Sequence, residues 1–197
     1  MEQELIEQLL AGEEAAFRQI VTDYQGIMLQ LARNIVGDAI ADEVVQEAWV
    51  SVIKSLKKFE GRSSLKTWIL TIVSNCAKTR LRKEARSVAW GDASDIEASA
   101  VSPDRFNPKG FWSNTPGHWQ SASPEQLLAS EQLRENLDKS LQQLPGAQRT
   151  ILQLRDFEGL PMDDICKILQ ISESNSRVLL HRARTKLWQT IDELENS

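Results

Sequence analysis

The chain has 197 residues, of which 41% are hydrophobic and 26% are charged, and its formal net charge is −5. This composition is that of an ordinary globular protein, long enough for one domain or two small ones. No apolar run reaches the length of a membrane-spanning helix, and the N-terminal sequence MEQELIEQ is too acidic for a signal peptide. We therefore expect a cytoplasmic protein without membrane insertion.

The net charge hides a sharp division along the chain. Residues 1–47 carry ten acidic and two basic side chains, whereas residues 54–86 carry ten basic and two acidic ones. Charge separated in this way within one compact region indicates two different partners. One partner is a polyanion, and the other accepts acidic side chains.

Hydrophobic periodicity predicts four helices in the first part of the chain. A short helix ends at Gly12 and a long one at Gly37, a third covers about residues 39–56, and a fourth starts near Leu65 and becomes strongly basic. Short connections between these helices predict an all-α domain over residues 1–87.

Residues 88–122 are predicted to form a flexible linker, because they are rich in Gly, Pro, Asn and Ser and show no sustained periodicity. The linker is unusual in its aromatic side chains, which are Trp90, Phe106, Phe111, Trp112 and Trp119. These rings either pack back on a domain or await a partner.

Residues 123–197 are predicted to form a second small helical domain that contains a helix-turn-helix. Ser123 is placed to cap its first helix, Gly159 and Pro161 separate two short helices, and Ser172 is placed to cap a long last helix. Apolar residues at helical spacing predict the buried stripe of that last helix: Leu180, Ala183, Leu187, Ile191 and Leu194.

The last helix also has a basic side, where Arg177, His181 and Arg184 are flanked by Arg182 and Lys186. A polar, basic side on the second helix of this motif is what docking in the DNA major groove requires. Scattered basic residues on a terminal helix are, however, also typical of a solvated surface.

Two positions depart from the commonest helix-turn-helix pattern. Gln170 stands where Gly is frequent, and a left-handed backbone there would cost about 1–2 kcal/mol. Ser176 stands where an inward aliphatic residue is usual.

The fourth helix ends in a basic cluster that suits sequence-independent contact with phosphates: Lys78, Arg80, Arg82, Lys83 and Arg86. Phe59 and Trp68 lie upstream, and aromatic rings beside basic residues can hold unstacked nucleotides. Trp68 also fits a core position. The loop from Lys58 to Ser64 is the better candidate for contact with an unpaired base.

No catalytic, metal or cofactor site is predicted. The sequence has no glycine-rich phosphate loop, no paired cysteine ligands and no HExxH motif. Cys76 and Cys166 resemble small buried hydrophobic residues, and His118 and His181 have no nucleophile beside them. We therefore expect a binding protein without a cofactor, not an enzyme.

Four stretches together resemble bacterial RNA polymerase sigma factors of the extracytoplasmic-function (ECF) type, in the sigma-70 family. They are ADEVVQEAWV (41–50), FEGRSSLKTWILTIVSNCAKTRLRK (59–83), LPGAQRTILQLRDFEGLPMDDICKIL (144–169) and VLLHRARTKL (178–187). The resemblance implies a protein that binds core RNA polymerase and directs promoter-specific initiation by reading the −35 and −10 elements and melting DNA.

The resemblance also implies a role for particular residues. The clamp helices of the largest polymerase subunit would bind an acidic surface formed by Asp42, Glu43, Gln46 and Glu47. At positions 42 and 43 the family more often has Glu and then Asp. The −10 element would contact Lys58, Phe59, Arg62, Ser63, Ser64, Lys66, Asn75, Lys78, Arg80, Arg82 and Lys83. The −35 element would contact Ser174, Asn175, Arg177, Val178, His181, Arg182 and Arg184.

Further partners follow from the same resemblance. They are the flap of the second-largest polymerase subunit and an anti-sigma factor, and the free chain would be a monomer. Leu179 stands where a basic residue is common, so base reading there would be altered.

Two other classes of protein are possible from the residues alone. A stand-alone helix-turn-helix regulator would bind duplex DNA without polymerase, and a helical interaction scaffold would have no salt-dependent affinity for DNA. The division of charge and the FEGRSSLKTW loop argue against both.

Overall fold

The computed structural model describes residues 2–83 and 131–195. Its helices are α1 (Glu2–Ala11), α2 (Glu14–Val36), α3 (Asp38–Ser55), α4 (Leu65–Lys83), α5 (Glu131–Gln143), α6 (Gly146–Leu152), α7 (Met162–Leu169) and α8 (Glu173–Glu195). A 3-10 turn covers Leu56–Lys58 and a π-helical segment covers Gln153–Phe157. The described residues contain no strand, so the predicted all-α fold is confirmed.

Glycine ends the helices of the first unit where the sequence predicts. The N–H of Gly37 donates to the carbonyl of Arg33 over 2.9 Å, and its φ of 82° suits glycine. Gly12 has a φ of 81° directly after α1. These breaks let α1, α2 and α3 fold back on one another within short connections.

The described residues form two compact units that do not follow chain order. Residues 2–83 and 154–173 make the first unit, and residues 131–153 and 174–195 make the second. The predicted boundaries at residues 87, 122 and 123 lie outside the described residues and stay predictions. So do the placement of the linker aromatics, of Arg86 and of Ser123.

The core of the first unit lies where α2, α3 and α4 pack on one another, with α1 against α2 and α7 against α4. Its fully buried side chains include Ile20, Met28, Leu31, Ile69 and Leu70. Each such side chain contributes about 1.5–3 kcal/mol by leaving water. Trp49 is half-buried, and its indole N–H donates to Oε1 of Gln25 over 2.6 Å.

In the second unit, Leu144, Ile151, Leu180 and Ala183 are buried. The last two confirm the start of the stripe predicted for the final helix, whereas Leu187 is half-buried. The side chains of Ile191 and Leu194 lie outside the described part. α8 begins directly after Ser172, where the cap is predicted.

Candidate polymerase and promoter interface

The acidic surface is one exposed side of α3. Asp42, Glu43, Gln46 and Glu47 are all exposed, and Val44, Val45 and Ala48 between and beside them are buried. Helical spacing of 3 and 4 residues places the four polar side chains on one side of α3. The intervening apolar residues pack against the core and so turn that side toward solvent. The predicted cluster is therefore a surface that a protein partner can reach.

Arg80 connects this acidic surface to the basic end of α4. Its guanidinium lies 2.7 Å from Oε2 of Glu43 and 3.3 Å from Oε1 of Glu47. The two carboxylates are more than half exposed, and such pairs contribute at most about 1 kcal/mol. A basic side chain of a partner can therefore displace Arg80 from the two carboxylates, and a phosphate can displace the carboxylates from Arg80. This bridge could not be predicted from the sequence, because its partners on α3 and α4 lie over 30 positions apart.

The remaining basic residues of α4 differ in exposure. Arg82 and Lys83 are exposed, whereas Lys78 is half-buried. Burial, and then the neighbouring charge of Arg82, lower the pKa of the Lys78 ammonium from its usual range. Lys78 donates to the carbonyl of Leu169, and Lys66, near the start of α4, pairs with Glu158.

The loop before α4 is ordered by its own contacts. The ring centroids of Phe59 and Trp68 lie 5.0 Å apart with an interplanar angle of 49°. Trp68 is half-buried, so the core position that its sequence context fits is not reached. Arg62 pairs with Glu60 at 2.9 Å and Lys58 is exposed.

Ser64 caps α4, which limits its part in DNA contact. Its Oγ accepts from the N–H of Thr67 over 3.1 Å and donates to Oγ1 of Thr67 over 2.9 Å. The first N–H of α4, from Leu65, donates to Oε1 of Glu2 over 2.5 Å. Glu2 is a positioning residue that sequence reasoning missed, because it lies 63 positions away.

An open groove of about 580 Å³ lies between α1 and this loop. Phe59, Gly61 and Ser63 line it from the loop, and Ile6 and Leu10 line it from α1. The sequence predicts that the loop can form a pocket for an unpaired base, but it does not indicate that α1 supplies the second wall.

α8 exposes only part of the predicted DNA-reading set. Ser174, Arg177 and Val178 are exposed, and Asn175, His181 and Arg182 are half-buried. Arg184 is only 5% exposed, so the prediction that it shares the exposed side with Arg177 is wrong. The physical reason is that the buried side of α8 is wider than the apolar stripe.

Two further residues belong to this buried side. Ser176 is fully buried, so the inward position is confirmed although the residue is polar. Leu179 is 4% exposed, so it does not stand on a surface where it would alter base reading. Gln170, by contrast, has the left-handed backbone that its position predicts, with a φ of 54° and a ψ of 46°.

Replacing Arg184 with Ala should lower the free energy of unfolding by about 1–3 kcal/mol, the usual cost of disrupting a buried polar group. Arg177→Ala, at an exposed position of the same helix, should change it by less than about 0.5 kcal/mol. Urea unfolding of both variants measures the difference. Equal stability losses would contradict the burial of Arg184.

The pKa of His181 is lowered from its usual value, first by burial and then by the charge of Arg184. The unfolded chain therefore takes up a proton near pH 6.5 while the folded chain does not, and stability falls as the pH drops through and below that value. Thermal unfolding between pH 7.5 and 5.5 should show a smaller loss for His181→Gln than for the wild type. Parallel curves would contradict a lowered pKa.

No group of three or more His, Cys, Asp or Glu among the described residues is placed to hold a metal ion. Within the same residues, no helix is long and apolar enough to cross a membrane. The described residues thus form helices in two units and expose acidic side chains on α3 and basic side chains on α4 and α8, which is the surface chemistry expected of a protein that binds other macromolecules.

Comparison with known proteins resolves the class. The family model for sigma-70 region 2 matches residues 20–87, and the model for sigma-70 region 4 matches residues 134–187. The chain is 30% identical over 194 residues to the RNA polymerase sigma-H factor of Pseudomonas aeruginosa, covering 98% of this chain and 95% of that protein. It is 28% identical over 193 residues to the ECF RNA polymerase sigma-E factor of Escherichia coli K12, with the same coverage of both chains.

Solved structures agree on the fold. CnrH, in complex with the cytosolic domain of CnrY, has a TM-score of 0.56 at 19% identity and covers 98% of this chain and 97% of that one. The sigma factor RpoE of Bartonella quintana, in complex with the anti-sigma factor NepR, has a TM-score of 0.56 at 21% identity and covers 89% of this chain and 96% of that one.

The chain belongs to the sigma-70 family of RNA polymerase sigma factors, in the ECF group. The resemblance found in the sequence is confirmed, and so is its functional implication: the chain acts in promoter-directed transcription initiation. A stand-alone regulator or an interaction scaffold is not favoured.

Proposed function

We propose that the exposed acidic side of α3 binds the clamp helices of the largest polymerase subunit. The observation that carries this assignment is the position of four polar side chains on one exposed helix side, backed by buried valines. A surface held rigidly in this way steers a basic partner and fixes its register. α4 and the loop before it then stand beside the polymerase, because α3 packs directly against α4.

We propose that α4 and residues 58–64 take the separated strand of the −10 element. Extruding a base costs a few kcal/mol, and contacts made only by the unstacked base offset that cost. The groove between the loop and α1 offers Ile6, Leu10 and Phe59 as apolar contacts for a base. Three acidic side chains line the same groove: Glu2, Glu7 and Glu60. The exposed Arg82 and Lys83 offer charge for the phosphates.

For the −35 element we propose that α8 reads the duplex through Arg177, with Ser174, Asn175, Val178, His181 and Arg182 around it. Arg184 is left out of this set because it is buried. The helix order of α7, a short turn and α8 is that of a helix-turn-helix, whose second helix supplies base contacts.

Such a protein melts DNA by positioning it, without covalent chemistry. We therefore propose that the chain is a non-catalytic subunit of the polymerase and that it acts in the cytoplasm. RpoE of Bartonella quintana has been solved with an anti-sigma factor. On that likeness we propose that an anti-sigma factor holds this chain too. From membership of the sigma-70 family we propose that the flap of the second-largest polymerase subunit is a further partner.

Transcription with purified core polymerase tests this function. Core from the source organism, supplied with a library of its promoter regions, should initiate at a defined subset only when the chain is added. Sequencing of transcript 5′ ends identifies that subset. An identical set of starts with and without the chain would contradict the proposal.

A further inference from the structure

Three of the side chains proposed to bind the −10 strand are already held by the segment Glu158–Gln170. The Lys66 ammonium lies 2.6 Å from Oε2 of Glu158, and both side chains are only 28% exposed. Lys78 donates to the carbonyl of Leu169, and Nε2 of Gln170 donates to Oδ1 of Asn75 over 2.8 Å. These contacts run along α4 from its first turn to its last third.

The groups that this segment presents resemble those of a DNA strand. Glu158 supplies a carboxylate, and Leu169 supplies a carbonyl at the C-terminal end of α7, where the helix dipole is negative. A phosphate oxygen offers a lysine the same negative charge and acceptor geometry. A lysine ammonium that is bound to the segment therefore attracts a phosphate less strongly.

Packing makes this contact more than a set of surface ion pairs. α7 packs against α4, and Ile165 and Ile168 of α7 are fully buried. Apolar burial of this kind fixes the position of α7, so the backbone carbonyl of Leu169 meets Lys78 at the cost of ordering only one side chain.

Gln170 supplies an independent sign that the contact is specific. Its backbone is left-handed, a conformation in which glycine would avoid the strain of a Cβ. Glycine has no side chain, however, and could not reach Asn75. The strained residue is therefore the one that makes the bond to α4.

We propose that the segment 158–170 occupies the strand-binding side chains of α4 in the free chain and must leave them before a single strand can bind. This inference rests on the proposed role of α4 at the −10 element. It makes Glu158 and Gln170 intramolecular competitors of DNA, a role distinct from that of the residues that touch DNA.

Single-strand binding by the full-length free chain tests the competition. The probe is a 5′-fluorescein-labelled single-stranded 12-nucleotide DNA of randomised sequence, and the readout is fluorescence anisotropy at low salt. Glu158→Gln should bind about three- to tenfold more tightly than the wild type, because Lys66 loses a half-buried charged partner. Gln170→Gly should also bind more tightly, since glycine keeps the left-handed backbone without strain but removes the bond that holds Asn75.

Asp164→Asn is the matched control. It removes one negative charge from the same segment, but Asp164 pairs with Lys167 within α7 at 3.2 Å. Its affinity should stay within about twofold of the wild type, as expected for a charge that only changes the overall field. Circular dichroism confirms that all variants keep their helices.

The outcomes separate this inference from the proposed function. If Glu158→Gln and Gln170→Gly bind no more tightly than Asp164→Asn, the competition is overturned, even if the chain initiates transcription with core. The same conclusion follows if no variant binds measurably. Tighter binding by both variants from a chain that drives no initiation supports the competition and overturns the function.

Discussion

Reversing the charges of Glu43 and Glu47 should abolish binding to core RNA polymerase. Each reversal replaces an attraction with a repulsion at the proposed clamp contact, a change worth about 2–5 kcal/mol where the pair is desolvated in the complex. The fold should survive, because both carboxylates are more than half exposed and their bond to Arg80 is weak. Surface plasmon resonance with immobilised core measures the affinity, and thermal unfolding monitors the fold.

A control with the same change in net charge isolates the site. Glu4→Lys with Asp23→Lys alters two exposed acidic residues on α1 and α2. This variant should bind core with an affinity within about threefold of the wild type, because salt screens exposed charges that lie away from the contact. Equal losses in the two double variants would mean that net charge, not the α3 surface, governs binding.

Removing the Arg177 side chain should weaken recognition of the −35 element by about 1–3 kcal/mol, the discrimination carried by a bidentate contact to a base. Arg177 is exposed on α8, so this loss should appear in DNA binding and not in stability. Holoenzyme binding to a selected promoter, compared between wild type and Arg177→Ala, measures it.

The same comparison on a scrambled −35 element distinguishes two modes of contact. A base contact predicts a loss on the selected element that is absent from the scrambled one. An equal loss on both would assign Arg177 to a phosphate, and the slope of affinity against salt would fall by about one unit.

Local patterns in the sequence predicted the helices well. Gly12 and Gly37 end α1 and α2, and the alternation of polar and apolar residues in α3 predicts which side is exposed, because both effects depend on neighbours within a few positions. The clustering of the acidic surface could therefore be predicted without the structure.

Contacts between distant positions could not be predicted in this way. Glu2 caps α4, Arg80 bridges α3, and Glu158 holds Lys66 across 92 positions. None leaves a periodic signal, because each partner also fits an ordinary solvated helix surface. The burial of Arg184 was missed for a related reason: periodicity of apolar residues gives no weight to a long basic side chain at the edge of the stripe.

Gln170 shows what a departure from a common pattern can indicate. The sequence marks it as costly, and the structure gives both the left-handed backbone and a bond that glycine could not make. Strain of this kind is retained where the side chain has another role.

Footprinting of a selected promoter with and without core polymerase tests the central claim, that this chain reads DNA as part of the polymerase. With core present, we predict protection of two separated elements and permanganate-reactive thymines in the downstream one. The chain alone should give neither at the same concentration. Specific protection of the duplex by the chain alone, unchanged by core, would contradict the account and identify a stand-alone regulator.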